Sequence, residues 1–124
     1  MTSTNASAQQ IAEDYARAWM GGDVEKALGF IAEDVVCDAP AGRIEGLPAY
    51  RRFLEGFLPK LTGSSITKIL GDDTSAAVVY TTDTTFARDF RAMDYLTLED
   101  GRITYVLTVF DRLPVAQAAR PAAG

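Results

Sequence analysis

A chain of 124 residues, of which 48% are hydrophobic, is long enough for one globular core and too short for two. Its net charge of -5 argues against a nucleic acid or an anionic membrane as partner, and favours an uncharged or weakly polar ligand. The single cysteine and the lack of a long apolar run predict a cytoplasmic protein. There is no histidine, which removes Ser-His-Asp and Cys-His catalysis and the usual His-containing metal sites. Any acid-base work must therefore fall to carboxylates, tyrosines or lysines.

The first elements predicted along the chain are two helices. Ser7 is placed to cap the first, whose apolar stripe carries Tyr15 and Trp19 at helical spacing until the glycine pair at 21–22 ends it. Asp23 can then cap a second, short helix with one apolar face. Both helices are therefore expected to pack on a common core.

The rest of the chain predicts one further helix and then strands. A short strand over 35–39 and a loop over 40–46 precede a third helix that begins near Pro48. From residue 65 the apolar period becomes two, which predicts four strands in an antiparallel meander, over 65–70, 76–86, 90–99 and 102–111. Helices ahead of such strands indicate an α+β domain, here over 1–113, with helices on one face of a curved sheet. The Ala/Pro-rich stretch 114–124 is expected to be a flexible tail.

One carboxyl group falls on the apolar side of its strand. The even positions over 90–98 are Phe, Ala, Asp, Leu and Leu, so Asp94 is predicted to lie among apolar neighbours. A buried carboxyl either pairs with a cation or keeps its proton with a raised pKa, and a protonated acid is a strong hydrogen-bond donor. The ordinary alternative is a salt-bridged or edge carboxylate. Asp94 is accordingly the first candidate for a catalytic residue.

Four stretches, in their order and spacing, carry a family resemblance. They read YARAWMGGD from residue 15, IAEDVVCDAP from residue 31, GLPAYRRF from residue 46, and LEDGRITY from residue 98 through Phe-Asp at 110–111. Over residues 8–112 the chain resembles the nuclear transport factor 2-like superfamily, in its SnoaL-like and ketosteroid isomerase-like branch. The resemblance implies a cone-shaped fold in which three N-terminal helices and a curved antiparallel sheet enclose one apolar pocket. Members include isomerases, polyketide cyclases, dehydratases, epoxide hydrolases and plain binding proteins, so the fold does not decide the function.

The isomerase pattern implies three catalytic residues and no cofactor or metal. Asp38 would be the base that removes a proton next to a carbonyl, while Tyr15 and a neutral Asp94 would donate hydrogen bonds to the enolate oxygen, as carried over from ketosteroid isomerase. The loop after Asp38 has one residue more before its proline than the isomerase pattern, so a slip by one would put Cys37 or Ala39 at the base position. Without a catalytic role, Tyr15 would be an ordinary core tyrosine and Asp38 a turn-forming residue, and both alternatives stay open.

Further residues are candidates for contact with the substrate. The resemblance implies a hydrophobic carbonyl compound, such as a steroid-like or polyketide-like ring, and Trp19, Tyr80, Phe86 and Met93 could line its pocket or fill the core. Asp111 would also contact it, because a similar Phe-Asp belongs to the carboxylate pair of the epoxide hydrolase and cyclase branches.

Three functions therefore stay open. The first is an isomerase or polyketide cyclase, and the second is an epoxide hydrolase or epoxide-opening cyclase that uses Asp111. The third is a small-molecule-binding protein without catalysis. The resemblance also implies a homodimer, for which the outer face of the sheet offers Val79, Thr81 and Val106.

Overall fold

A computed structural model of the chain describes residues 7–40 and 42–110. The helices are α1 (Ala8–Met20), α2 (Val24–Leu28) and α3 (Leu47–Phe57), the last followed by a 3-10 turn at Leu58–Lys60. The strands are β1 (Ile31–Ala39), β2 (Gly42–Glu45), β3 (Leu61–Gly71), β4 (Ser75–Thr84), β5 (Phe90–Glu99) and β6 (Arg102–Phe110). Asp111 and the predicted tail lie outside the described residues, so the tail and the domain boundary at 113 stay predictions.

Both predicted helix caps are present. The Ser7 hydroxyl accepts a hydrogen bond from the backbone N–H of Gln10 at 3.2 Å, and an Asp23 carboxylate oxygen accepts one from the N–H of Lys26 at 3.0 Å. Each bond satisfies a donor that the first helical turn would leave unpaired, which stabilises a helix by about 1 kcal/mol. The caps therefore fix where α1 and α2 begin.

The strands form one curved, unclosed sheet in the order β2-β1-β6-β5-β4-β3. Neighbouring strands are antiparallel, except that β1 runs parallel to β6. The α+β prediction and the meander of the last four strands are confirmed. The loop predicted over 40–46 is wrong in part, because residues 42–45 pair back onto β1, with Gly42 opposite Ala39. β1 and β3 also begin four residues before their predicted starts, at Ile31 and Leu61.

The helices cover one face of the sheet, and this inner face has two parts. Toward one end it is a closed core, whose fully buried members include Val35, Cys37, Val78, Leu96, Ile103 and Val106. Toward the other end the strands carry Tyr80, Asp94 and Thr108, which face a cavity. The core therefore fixes the strands from which the cavity residues project. None of the helices in the described ranges is long and apolar enough to cross a membrane.

Candidate active site

An apolar cavity of about 440 Å³ lies between helices α1 and α3 and the inner face of β4, β5 and β6. This volume is within the range of small-molecule binding sites. Aromatic rings make most of its wall: Tyr15, Trp19, Tyr50, Phe53, Phe57, Tyr80, Phe86, Phe90 and Phe110. The helical stripe of α1 and the period-two pattern of the strands converge on this one space. An apolar ring system is the kind of ligand that such a wall accommodates.

The aromatic rings of the wall pack against one another at both sides of the cavity, edge to face except for the tilted pair Phe90–Phe110. The Trp19 ring lies 5.2 Å from that of Tyr80 and 6.0 Å from that of Phe57, which ties α1 to both β4 and α3. The centre of the Phe90 ring lies 5.9 Å from that of Phe86 and 5.3 Å from that of Phe110. Edge-to-face packing of this kind holds each ring in one orientation and makes the cavity largely pre-formed.

Asp94 lies in this cavity with only 6% of its surface exposed. Its Oδ1 accepts hydrogen bonds from the hydroxyls of Tyr80 at 3.1 Å and Thr108 at 2.9 Å. Thr108 is the residue directly opposite on β6, and Tyr80 reaches across diagonally from β4. Because no buried side-chain oxygen of the described residues lacks a partner, the remaining Oδ2 faces the cavity. One oxygen is thus anchored and the other is available to a ligand.

The pKa of Asp94 is raised to about 6. Loss of hydration on burial is the main cause, while the hydrogen bonds from Thr108 and Tyr80 act in the opposite direction. The Asp94 carboxyl therefore changes its charge close to neutral pH, as a group that takes up and returns a proton must do.

Two phenol groups share a hydrogen bond in the same cavity. The hydroxyls of Tyr15, on α1, and Tyr50, on α3, are bonded to each other and are both buried. Burial raises the pKa of Tyr15, and the charge of Asp94 raises it further, so both phenols keep their protons at neutral pH. In such a pair one hydroxyl donates to the other, which leaves the proton of the second free for a ligand oxygen.

Asp38 does not face the cavity. On β1, Cys37 is fully buried on the inner side, and the Asp38 side chain, 31% exposed, points to the outer side of the sheet. There the Arg43 guanidinium donates to its carboxylate at 2.8 and 3.2 Å, and the Tyr105 hydroxyl donates at 2.8 Å. These bonds hold the pKa of Asp38 below its ordinary value. The expectation of a base at Asp38 is corrected: the extra residue before Pro40 leaves position 37 facing inward.

Of the other predicted site residues, some line the cavity and one lies on the outer face of the sheet. Trp19, Tyr80 and Phe86 line the cavity together with Tyr15 and Asp94. Met93 is on the outer face, where it pairs with the exposed Val79 and Val109, so its expected contact with a ligand in the cavity is corrected. It neighbours Asp94 in sequence, and adjacent strand residues face opposite sides. Asp111 lies outside the described residues, so its role in epoxide opening stays a prediction.

Sequence reasoning missed several residues of the site. Tyr50 lies on the buried face of α3, and the helical spacing gave no sign that its hydroxyl would meet that of Tyr15. Val106, which was expected on the outer face, is instead fully buried on the inner face, and Thr108 faces the cavity, because a β-bulge opposite 97–98 reverses the alternation after Ile103. Arg52 and Lys60, which line the opening of the cavity, carried no signal in the sequence pattern.

Comparison with known proteins identifies the family. Residues 12–106 match the model of the SnoaL-like domain. The chain belongs to this family. It also shares its fold with an NTF2-like protein from Cytophaga hutchinsonii ATCC 33406, which is 18% identical, with a TM-score of 0.79 over 94% of this chain and 99% of that one. No curated protein gives a significant match.

Solved structures share the fold. A protein from Kribbella flavida DSM 17836, whose name states no activity, is 43% identical, with a TM-score of 0.87 over 90% of this chain and 93% of that one. A provisionally assigned ketosteroid isomerase from the same organism is 26% identical, with a TM-score of 0.74 over 94% and 83% of the two chains. A provisionally assigned polyketide cyclase from Sinorhizobium meliloti is 20% identical, with a TM-score of 0.73 over 81% and 94%, which shows the fold alone.

Proposed function

We propose that the protein is a cofactor-free enzyme that moves a proton on a hydrophobic carbonyl compound, as a ketosteroid isomerase or a polyketide cyclase does. The observation that carries this proposal is the environment of Asp94. Its Oδ1 is held by two hydroxyls, its Oδ2 faces an aromatic cavity, and its pKa is raised to about 6. The SnoaL-like family, and the name of the 26% identical neighbour from Kribbella flavida, agree with this class of reaction.

Asp94 acts as the base in this proposal. It is the one carboxylate among the described residues that line the cavity, and a pKa of about 6 leaves about nine tenths of it ionised at pH 7. The resemblance gave it the role of a neutral donor, because it placed the base at Asp38. With Asp38 in an ion pair on the outer face, the proton must be taken by a different carboxylate. Oδ2 of Asp94 is the atom placed to take it.

The phenol pair completes the chemistry. As Oδ2 removes a proton from the carbon next to the carbonyl, the C–H electron pair forms a new C=C bond and negative charge develops on the carbonyl oxygen. The free hydroxyl proton of the Tyr15–Tyr50 pair donates to that oxygen. In a dry cavity one such donor lowers the barrier by about 3 kcal/mol. Return of the proton to another carbon gives an isomer, whereas attack of the enolate on a second carbonyl closes a ring.

Proton exchange tests the proposal without knowledge of the substrate. A panel of fused-ring ketones is incubated with the protein in D2O, and loss of the proton signal next to the carbonyl is followed by NMR. We expect Asp94→Asn to abolish catalysed exchange and Asp38→Asn to leave it unchanged. Catalysis that survives Asp94→Asn in a folded protein contradicts the assignment. Ketones that bind to the wild-type protein without any exchange would favour the binding protein instead.

A further inference from the structure

The opening of the cavity carries positive charge in a protein whose net charge is -5. Arg52 lies on the exposed side of α3 and Lys60 at the end of the following 3-10 turn, and both line the cavity. Asp94 is the other charged residue among those that line it. Asp94 is almost fully buried while the two cations are exposed, so the negative charge lies deep in the cavity and the positive charges lie near solvent.

Among the described residues, the charged groups of Arg52 and Lys60 have no partner within the protein. The neighbouring Arg51 forms ion pairs with Glu25 and Glu55, whereas the side chains of Arg52 and Lys60 form no ion pair or hydrogen bond with any described residue. The backbone carbonyl of Lys60 accepts a hydrogen bond from the N–H of Thr85 at 2.9 Å, which joins the turn to the end of β4. Lys60 is thereby fixed at the edge of the opening while its ammonium group stays available.

We propose that the natural ligand is an amphipathic ring compound with a carboxylate at the end away from its reacting carbonyl. The aromatic wall binds the ring system, and Arg52 and Lys60 bind the carboxylate at the opening. Charge attraction then orients the ligand, since the carboxylate is drawn to the cations and repelled from ionised Asp94. As a substrate class this rests on the proposed function, because it is that function which places a carbonyl at Asp94. The overall negative charge favoured an uncharged ligand, but the local charge at the opening indicates the reverse.

A pair of fluorescent probes with the same ring tests this inference. In 6-hydroxy-2-naphthoic acid the phenol can reach the Asp94 end while the carboxylate, at the opposite end of the ring, reaches the opening. Its methyl ester has the same shape without the charge. We expect the wild-type protein to bind the acid about tenfold more tightly than the ester at low ionic strength, and this preference to shrink as salt is added.

Substitution of the two cations should remove the preference. In Arg52→Gln/Lys60→Gln the acid and the ester should bind equally, with the affinity for the ester unchanged. Lys68→Gln, which removes an exposed charge on β3 away from the cavity, is the matched control and should keep the preference. The side chains of Arg52, Lys60 and Lys68 are all exposed, so their substitution should not disturb the core. Circular dichroism checks the fold of each variant.

Several results would overturn the inference. These are equal binding of acid and ester by the wild-type protein, a preference that persists in the double variant, or no binding of the acid at millimolar concentration. Failure of the proposed function would be seen in the D2O exchange experiment, as proton exchange that is insensitive to Asp94→Asn. The acid-to-ester ratio reports only the opening, so the two outcomes are separable.

Discussion

Asp94→Asn should stabilise the protein, and the gain should grow as the pH rises. A carboxyl whose pKa is raised from 3.8 to about 6 on folding opposes folding when it is ionised. In acid both states hold the proton and there is no cost. Between about pH 4 and pH 6 the unfolded chain loses its proton while the folded protein retains it, so stability falls as the pH rises. Above about pH 6 the full cost is present, about 3 kcal/mol at 1.36 kcal/mol per unit of pKa.

Asparagine has no proton to lose, and its amide oxygen can still accept the hydrogen bonds from Tyr80 and Thr108. The free energy of unfolding of Asp94→Asn minus that of the wild-type protein should therefore increase by about 2 kcal/mol between pH 4.5 and pH 8. Urea unfolding of both proteins in matched buffers measures this difference. All other titrating groups cancel in it, as does any constant effect of the substitution.

The control is Asp38→Asn. The pKa of Asp38 is lowered by its ion pair, so this carboxylate stabilises the folded protein above its unfolded pKa, and the stabilisation is lost as the pH falls. Between pH 4.5 and pH 8 the difference between this variant and the wild-type protein should therefore stay nearly flat, and it should change in the opposite direction only below about pH 4. A difference for Asp94→Asn that is flat, or that falls with rising pH, would show that the pKa of Asp94 is not raised and would refute the reasoning.

Three shorter predictions concern activity and assembly. In the proposed reaction, kcat/KM of the wild-type protein should rise through about pH 6 to a plateau, because Asp94 must be ionised to act as a base. A fall through the same pH would identify a neutral donor instead. Tyr15→Phe/Tyr50→Phe, which removes both hydroxyls of the pair, should lower kcat about 100-fold with little effect on the affinity for a ground-state ligand, as steady-state kinetics and probe titration can show. The homodimer expected from the family resemblance should use the outer face of the sheet, so Val109→Lys, at an exposed position there, should produce monomers in sedimentation analysis, unless the chain pairs elsewhere.

The fold followed from local patterns that were strong enough to read. The caps at Ser7 and Asp23 and the change from helical to period-two spacing gave the order of most elements. The strand with the clearest alternation, β5, placed Asp94 correctly on the inner face. β2 was missed because its four residues form a strand only by pairing with β1, which is not a property of their own sequence.

The site was harder to predict, because its residues depend on which side of a strand each one faces. A shift of one residue reverses every side chain, and the family pattern was one residue out of step before Pro40. Because of that shift, Cys37 faces inward, and Asp38 faces outward and forms an ion pair with Arg43. The Tyr15–Tyr50 bond joins two helices that are separated along the chain, and no local pattern could reveal it.

The β-bulge on β6 decides the chemistry available to Asp94. The pair Leu98–Ile103, continued without a shift, would place Leu107 opposite Asp94, whereas the observed register places Thr108 there. With Leu107 in that place, one of the two hydroxyl donors would be absent and less would oppose the effect of burial. The pKa of Asp94 would then be higher, so Asp94 would be protonated to a greater extent at neutral pH and would act as a base only at higher pH.

Thr108→Val should reproduce that state, because valine has nearly the same shape and no hydroxyl. Loss of a hydrogen bond to a carboxylate, worth about 1.5–3 kcal/mol, should raise the pKa of Asp94 by about one to two units. The rise of kcat/KM with pH should then move upward by the same amount, while Thr108→Ser should keep the wild-type profile. An unchanged profile in Thr108→Val would mean that the group titrating near pH 6 is not Asp94. The bulge in β6, by placing Thr108 beside Asp94, thus sets the pH above which Asp94 can act as a base.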